Sequence, residues 1–148
     1  ITLKRIERNS YGKDFDRDTY TCEVRDALID HEIDLIAMAG FGTILNKPIY
    51  DDFSNRILNT HPSLLPSFPG WHAVEEALEY GVKVTGCTVH IATEEVDAGP
   101  ILAQESIPVL KDDTKETLHE RIKTVERQLY VDTINKIITT NGQIERDQ

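Results

Sequence analysis

Three adjacent residues, Asn59, Thr60 and His61, carry the most reactive combination of side chains in the sequence. Asn59 and His61 are two positions apart, so on an extended chain their side chains project to the same side. A carboxamide beside an imidazole can stabilise a developing oxyanion and exchange a proton. The same residue types also occur where an asparagine forms a turn and a histidine is simply hydrogen-bonded. The triplet therefore indicates either a proton-transfer site or an ordinary strand end.

The second candidate is Asp97, which lies in the acidic segment 94–99 (EEVDAG). Gly99 and Pro100 restrict the chain directly after it, and an apolar segment follows, so its carboxylate can be held at the edge of a sheet. A carboxylate placed beside His61 would orient the imidazole and stabilise its positive charge. As charge alone, an acidic turn is more often a solvated loop.

A third candidate lies near the end of the chain, where Lys123, Glu126 and Tyr130 are spaced at i, i+3 and i+7. On a helix these side chains form a row one position away from the apolar stripe that contains Ile122 and Val125. Such a row can bind a ligand at the edge of the core. It can equally be a boundary row with an ordinary ion pair between positions i and i+3.

Other catalytic patterns are missing from the sequence. Ser63 lacks the Gly-x-Ser-x-Gly turn of many serine hydrolases. The histidines at 61, 72, 90 and 119 have no ligand spacing of a known zinc type, so we expect no metal. The chain also contains no Gly-x-Gly-x-x-Gly or Walker sequence for binding phosphates.

The reactive triplet comes at the end of a predicted strand, and the neighbouring elements decide what surrounds it. Apolar periodicity and capping residues predict helices over 17–32, from Pro48, over 72–80 and over 113–142, and strands over 33–39, 57–59, 82–91 and 101–109. Alternating strands and helices predict an α/β fold, a Rossmann-like, largely parallel sheet flanked by helices. The last two strands can pair with each other, so the alternative of a sheet with an antiparallel edge is kept. In such sheets ligands bind at the carboxyl ends of strands, which favours a functional role for the triplet.

Several local features accompany these elements. The sequence predicts a helix cap at Asp16 or Asp18 and a capping box formed by Asp113 and Glu116. The apolar run 33–39 is typical of a strand covered on both faces. Residues 1–16 offer at most one short strand, and residues 143–148 are expected to be a frayed tail.

Composition limits the classes of protein that this chain can be. Its 148 residues predict one domain over 1–148, and a formal net charge of -10 disfavours nucleic acid and anionic membrane surfaces as partners. No apolar run approaches the roughly 18–20 residues that cross a bilayer. Two cysteines are too few for a disulfide framework and favour a cytoplasmic protein. Monomer and homodimer both remain open.

The segment 57–73 (ILNTHPSLLPSFPGWHA) is far more specific than any of these patterns. It resembles the signature of the folate-dependent formyltransferases, as do 39–41 (AGF), 81–90 (GVKVTGCTVH) and 96–101 (VDAGPI). Within that superfamily, 70–73 (GWHA) and 121–130 (RIKTVERQLY) most resemble the phosphoribosylglycinamide formyltransferases. The likeness extends over residues 14–138 and implies the formyltransferase fold.

This resemblance implies a reaction and a role for each candidate. The amine of glycinamide ribonucleotide would attack the formyl carbon of the cosubstrate 10-formyltetrahydrofolate, a step of purine biosynthesis that needs no metal. His61 would be the proton donor and Asn59 the oxyanion-stabilising amide. Asp97 would keep His61 protonated and relay the proton of the amine through water.

The resemblance also implies two sets of binding residues. The formyl folate would contact Asn59 and two loops, and the ribonucleotide would lie against the last helix, with Glu126 at the sugar hydroxyls and Lys123 near the phosphate. The folate residues are Arg17, Gly42, Thr43, Ile44, Leu45, Asn59, Thr93, Glu94, Glu95, Val96 and Asp97; the ribonucleotide residues are Lys123, Thr124, Val125 and Glu126. Typical family members have a bulky Met-Arg pair where this chain has Gly42 and Thr43, so side-chain packing on the folate is expected to differ.

A second departure from the family lies at the front of the chain. The family begins with a strand and a glycine-rich turn that binds the substrate phosphate, and residues 1–16 do not match it. The domain is therefore expected to be incomplete at its N-terminus, and this chain alone is expected to turn over poorly. Three alternatives follow: a formyltetrahydrofolate hydrolase, a methionyl-tRNA formyltransferase, which the negative charge disfavours, and a folate-binding fragment without activity.

Overall fold

The computed structural model describes residues 2–140, which form four helices and four strands. In chain order the elements are α1 (Arg17–Asp30), β1 (Ile36–Ala37), α2 (Lys47–Asp52), β2 (Ile57–His61), α3 (Ala73–Tyr80), β3 (Val84–Ile91), β4 (Ile101–Pro108) and α4 (Lys115–Thr139). The predicted order of helices and strands is confirmed. The predicted ends at Ile1 and Gly142 and the predicted tail 143–148 lie outside the described residues.

The four strands form one mixed sheet in the order β1-β2-β3-β4. β1 pairs with β2 in parallel, whereas β2 with β3 and β3 with β4 are antiparallel. The expected largely parallel sheet is therefore corrected for the described residues, although the α/β class holds. The reason is that the chain leaves β2 at His61 and re-enters the sheet at the same end, since His61 pairs with Thr88 of β3. α3 lies within this return and does not carry the chain across the sheet.

The β1 segment is shorter and less covered than the apolar run 33–39 suggests. Only Ile36 and Ala37 pair with β2, and Ala37 is exposed. The chain turns away soon afterwards at Gly40, which has a positive φ of 62°. The expectation of a strand buried on both faces is thus wrong here, and residues 2–16 contain no strand either.

α4 crosses the sheet and closes the core. Near its start, Leu118 and Ile122 are fully buried in a cluster with Cys87 of β3. Near its end, Ile137 packs with Leu58 of β2. The helix therefore runs from the β3 and β4 side of the sheet towards β2, which brings its middle close to the end of β2.

Short side chains cap the first turns of α1 and α4 by hydrogen bonding. Asp16 caps α1 as predicted, since its carboxylate accepts from the Thr19 amide at 3.0 Å. The capping box predicted for α4 is wrong by one residue: Thr114 and Thr117 form it reciprocally. Asp113 instead accepts from Arg121, which its position before the helix allows.

Candidate functional site

A cavity of about 450 Å³ lies where β2 ends. It contains the predicted triplet Asn59, Thr60 and His61, together with Asp97. Its other walls come from the loop after β1, the loop after β3 and the middle of α4. The triplet and Asp97, which the sequence singled out separately, are therefore brought into one site.

The centre of the cavity is a histidine and a carboxylate with little access to solvent. His61 Nδ1 lies 3.4 Å from Asp97 Oδ2, and the two side chains are 6% and 7% exposed. The other ring nitrogen, Nε2, donates to the main-chain carbonyl of Phe68 at 2.8 Å. Since Nε2 is tied to this carbonyl, Nδ1 is the nitrogen that faces the carboxylate. Low exposure makes this electrostatic contact stronger than it would be in water.

Asp97 is held in place by its backbone as well as by its partners. It has a φ of 56°, in the left-handed region that non-glycine residues seldom adopt. Its Oδ2 accepts from the Gly70 amide at 2.8 Å, which links it to the loop after β2. At Gly99 any Cβ would collide with the Ile91 carbonyl, so only glycine allows the chain to return against β3 directly after Asp97.

The loop between His61 and Gly70 is anchored to β3 by side chains. Thr88 Oγ1 donates to the Ser63 carbonyl at 2.7 Å and accepts from the Leu65 amide at 3.0 Å. Gln104 on β4 adds a bond of 2.9 Å to the Leu65 carbonyl. Buried polar groups that are satisfied in this way fix a loop in one conformation. The loop can therefore hold the Phe68 carbonyl against His61.

Asn59 has a partner that the sequence analysis did not assign to the site. His90 pairs with Asn59 across β2 and β3, and Asn59 Nδ2 lies 3.5 Å from His90 Nε2. His90 is 1% exposed, and burial lowers its pKa, so the neutral ring is favoured. Its Nδ1 donates to the Ile91 carbonyl at 3.0 Å, so Nε2, which also lies 3.7 Å from Asp97 Oδ1, can accept from the Asn59 amide. No motif indicates this role of His90; only the antiparallel pairing of β2 with β3 places it opposite Asn59.

The two loops predicted to contact the folate reach the cavity only in part. Gly42, Thr43, Ile44, Thr93 and Val96 line it with Asp97. The remaining residues of this set lie elsewhere: Leu45 is buried in the core beside Ile49, Glu94 and Glu95 are exposed, and Arg17 is exposed at the start of α1.

The predicted row on α4 also divides between the cavity and other surroundings. Glu126 lines the cavity and accepts from Thr60 Oγ1 at 3.0 Å. Lys123 pairs with Glu120 at 2.7 Å, not with Glu126 as the i, i+3 spacing suggested. Thr124 is exposed and Val125 packs against the core.

Further residues line the cavity without having been assigned to the site, among them two aromatic residues and a histidine. Tyr50 lies on α2, Trp71 lies in the loop before α3, and His119 lies on α4, one turn before Lys123. Burial, and then the nearby Lys123, lower the pKa of His119. Helix periodicity could have placed His119 beside Glu126, seven residues later, on the same face.

The arrangement can support proton transfer next to a carbonyl-derived oxyanion. Within residues 2–140 no cluster of three or more His, Cys, Asp or Glu side chains is suited to hold a metal ion. Among the same residues, no helix is both long and apolar enough to cross a membrane.

Comparison with known proteins identifies the family to which the chain is similar. The formyl transferase family matches residues 4–134. The chain is 51% identical over 123 residues to the phosphoribosylglycinamide formyltransferase of Mycobacterium tuberculosis (strain CDC 1551 / Oshkosh), covering 83% of this chain and 57% of that protein. The chain thus spans little more than half the length of that relative.

Solved structures agree with this match. A glycinamide ribonucleotide transformylase 1 from Symbiobacterium toebii superimposes with a TM-score of 0.78 at 46% identity, over 80% of this chain and 56% of that one. A formyltetrahydrofolate deformylase from Pseudomonas syringae pv. tomato gives a TM-score of 0.76 at 31% identity, over 80% and 40% of the two chains. The predicted formyltransferase fold is confirmed, and the chain belongs to the formyl transferase family.

Proposed function

We propose that this protein transfers the formyl group of 10-formyltetrahydrofolate to the amine of glycinamide ribonucleotide in purine biosynthesis. The observation that carries the proposal is the His61 and Asp97 contact of 3.4 Å in the same cavity as Asn59. The similarity to phosphoribosylglycinamide formyltransferases supports the choice of both substrates.

In the proposed reaction, the amine nitrogen attacks the formyl carbon and the carbonyl oxygen becomes an oxyanion. The bond between the formyl carbon and N10 of the folate then breaks, N10 gains a proton and the amine loses one. Asn59 donates through Nδ2 to the oxyanion, because one N–H faces His90 and the second remains available. The neutral His90 ring thereby sets the direction of the amide.

His61 supplies the proton that the departing N10 receives. Nε2 is engaged with the Phe68 carbonyl, so the transferable proton lies on Nδ1, next to Asp97. The carboxylate stabilises the charged ring before transfer and accepts the proton of the amine, through water, afterwards. Both roles require that Asp97 stay close to His61, which its bond from the Gly70 amide supports.

Binding of the two substrates is divided between different walls. The loops containing 42–44 and 93–97 offer main-chain groups to the polar edge of the pterin. Glu126 offers a carboxylate to the sugar hydroxyls of the ribonucleotide, whereas Lys123 is paired with Glu120. The binding residues implied by the family that do not line the cavity are Arg17, Leu45, Glu94, Glu95, Lys123, Thr124 and Val125.

The alternative, hydrolysis of formyltetrahydrofolate by water, uses the same Asn, His and Asp chemistry and has a structural relative in the deformylase. Glu126 favours the ribonucleotide instead. A carboxylate that lines the cavity and already accepts from Thr60 suits a hydroxyl-rich acceptor, whereas hydrolysis requires no such group.

We further propose small-molecule substrates and no nucleic-acid partner, since a net charge of -10 repels polyanions. Cys22 and Cys87 are unpaired within the described residues, which supports a reducing, cytoplasmic location. We also propose a single domain, as monomer or homodimer.

An assay with formyl-labelled 10-formyltetrahydrofolate tests the proposal. With glycinamide ribonucleotide present, we expect label in the ribonucleotide and little free formate. Formate release at the same rate with and without the acceptor would identify a hydrolase. Label in neither product, with the cosubstrate bound, would identify a folate-binding protein without transferase activity.

A further inference from the structure

Trp71 is an exposed aromatic side chain at the entrance to the cavity. It is the single tryptophan of the chain, it is 70% exposed, and it lines the cavity. An indole is a large, rigid surface that gains free energy when another apolar ring covers it. Its position one residue after Gly70, whose amide binds Asp97, places it next to the reacting groups.

The indole lies against a position that has no side chain. A Cβ built on Gly42 would lie 3.5 Å from Trp71 Cη2 and 3.8 Å from Cζ3. Gly42 does not have the positive φ that would demand glycine, so the backbone itself permits a larger residue. A longer side chain at Gly42 would therefore meet the ring of Trp71. A larger side chain at position 42 and the indole of Trp71 would occupy the same space at the entrance.

We infer that Trp71, whose indole lies beside Gly42, is a folate-binding residue that packs on the p-aminobenzoyl ring. This inference rests on the proposed function. The p-aminobenzoyl ring is bonded directly to N10, which carries the formyl group, so it must lie close to Asn59 and His61 during transfer. The pterin has a polar edge that needs main-chain partners, whereas this ring needs an apolar wall.

The natural fluorescence of Trp71 reports on this contact directly, because no other tryptophan contributes. Titration of the protein with a 10-formyl folate analogue is expected to quench the emission and shift it to shorter wavelength, as the ring covers the exposed indole. Affinity is measured in parallel by calorimetry, which does not depend on the tryptophan.

Substitutions separate stacking from general packing. Trp71→Ala is expected to weaken binding of the analogue about tenfold, while Trp71→Phe, which keeps a flat ring, regains most of it. Ile138→Ala, at an apolar α4 residue that is 61% exposed and does not line the cavity, is the matched control and should bind as the wild type does.

The Gly42 side of the entrance gives an independent readout. Gly42→Met alone should weaken binding, because the new side chain displaces the indole. In the Trp71→Ala background the same change should strengthen binding, since it fills the vacated volume. This change of sign is not expected if Trp71 merely stabilises the loop.

The outcomes are distinct. Wild-type binding with unchanged emission, and equal affinity for Trp71→Ala, would overturn the role of Trp71 and leave the proposed function standing. Failure of the wild type to bind any formyl folate would overturn the proposed function and this inference together.

Discussion

The end of β2 and the middle of α4 both face the cavity, but they differ in how firmly they hold their side chains. At the end of β2, His61 is tied to a main-chain carbonyl and faces a carboxylate, and Asn59 faces a buried His90. On α4 only Glu126 of the residues implied to bind the ribonucleotide reaches the cavity, while Lys123 pairs with Glu120. Under the proposed function, the chemistry would be built on anchored main chain, and recognition of the acceptor on longer side chains of one helix.

The largest effect is expected at His61. His61→Ala should lower kcat about 10³-fold, because it removes the proton donor of the departing nitrogen. Thermal unfolding should show that the fold is retained. His31→Ala, at an exposed histidine that directly follows α1 and does not line the cavity, is the control and should keep the wild-type rate.

Asp97→Asn should lower kcat about 10²-fold, since the side chain keeps its size and loses the charge opposite His61. Asparagine tolerates the left-handed φ of 56°, so stability should change little. A wild-type rate for this variant would mean that the anchored centre does not depend on the carboxylate. Asp51→Asn, at an exposed residue on α2, serves for comparison.

His90→Leu should lower kcat about tenfold with a small change in KM, because Asn59 loses the acceptor that directs its amide. It should also change the pH dependence of stability. Burial lowers the pKa of His90, so between its ordinary value of about 6.5 and the lowered folded value the unfolded chain binds the extra proton.

Acidification below about pH 6.5 should therefore lower the free energy of unfolding of the wild type more steeply than that of His90→Leu. His119, whose pKa is lowered in the same direction, contributes to both proteins alike. Parallel stability curves for wild type and variant, from urea denaturation at several pH values, would contradict the buried neutral ring.

The smallest effects are expected on α4, and they test the contrast between the two regions. Glu126→Gln should raise the KM for the ribonucleotide about tenfold and leave the folate KM unchanged, because it weakens bonds to hydroxyls. Lys123→Ala should raise it only about twofold, as its partly exposed pair with Glu120 contributes little. A larger increase in KM for Lys123→Ala than for Glu126→Gln would place Lys123 in the acceptor site and require it to leave Glu120 on binding.

Sequence reasoning succeeded where local chain geometry decides the outcome. The spacing of Asn59 and His61 predicted that both side chains project to the same side of a strand, and both line one cavity. Asp97, singled out by the glycine and proline that follow it, lines the same cavity. It failed where long-range pairing decides. The direction of β3 depends on where the chain re-enters the sheet, and no local pattern in 62–83 specifies that.

The same distinction explains the site residues that were missed or misplaced. His90 enters the site only because the antiparallel register sets it opposite Asn59. Val125 and Leu45 match family positions, yet they point into the core, since the path of α4 and of the loop after β1 fixes their rotation. Lys123 had two glutamates within reach, and spacing alone could not choose between Glu120 and Glu126.

We propose that Asn59, His61 and Asp97 form one formyl-transfer centre. Its most direct test is the initial rate at which label moves from 10-formyltetrahydrofolate to glycinamide ribonucleotide, measured for the wild type and for His61→Ala at equal concentration. We predict an acceptor-dependent rate above the uncatalysed background for the wild type and its loss in the variant. An equal rate for both proteins would contradict the assignment of His61 to this centre.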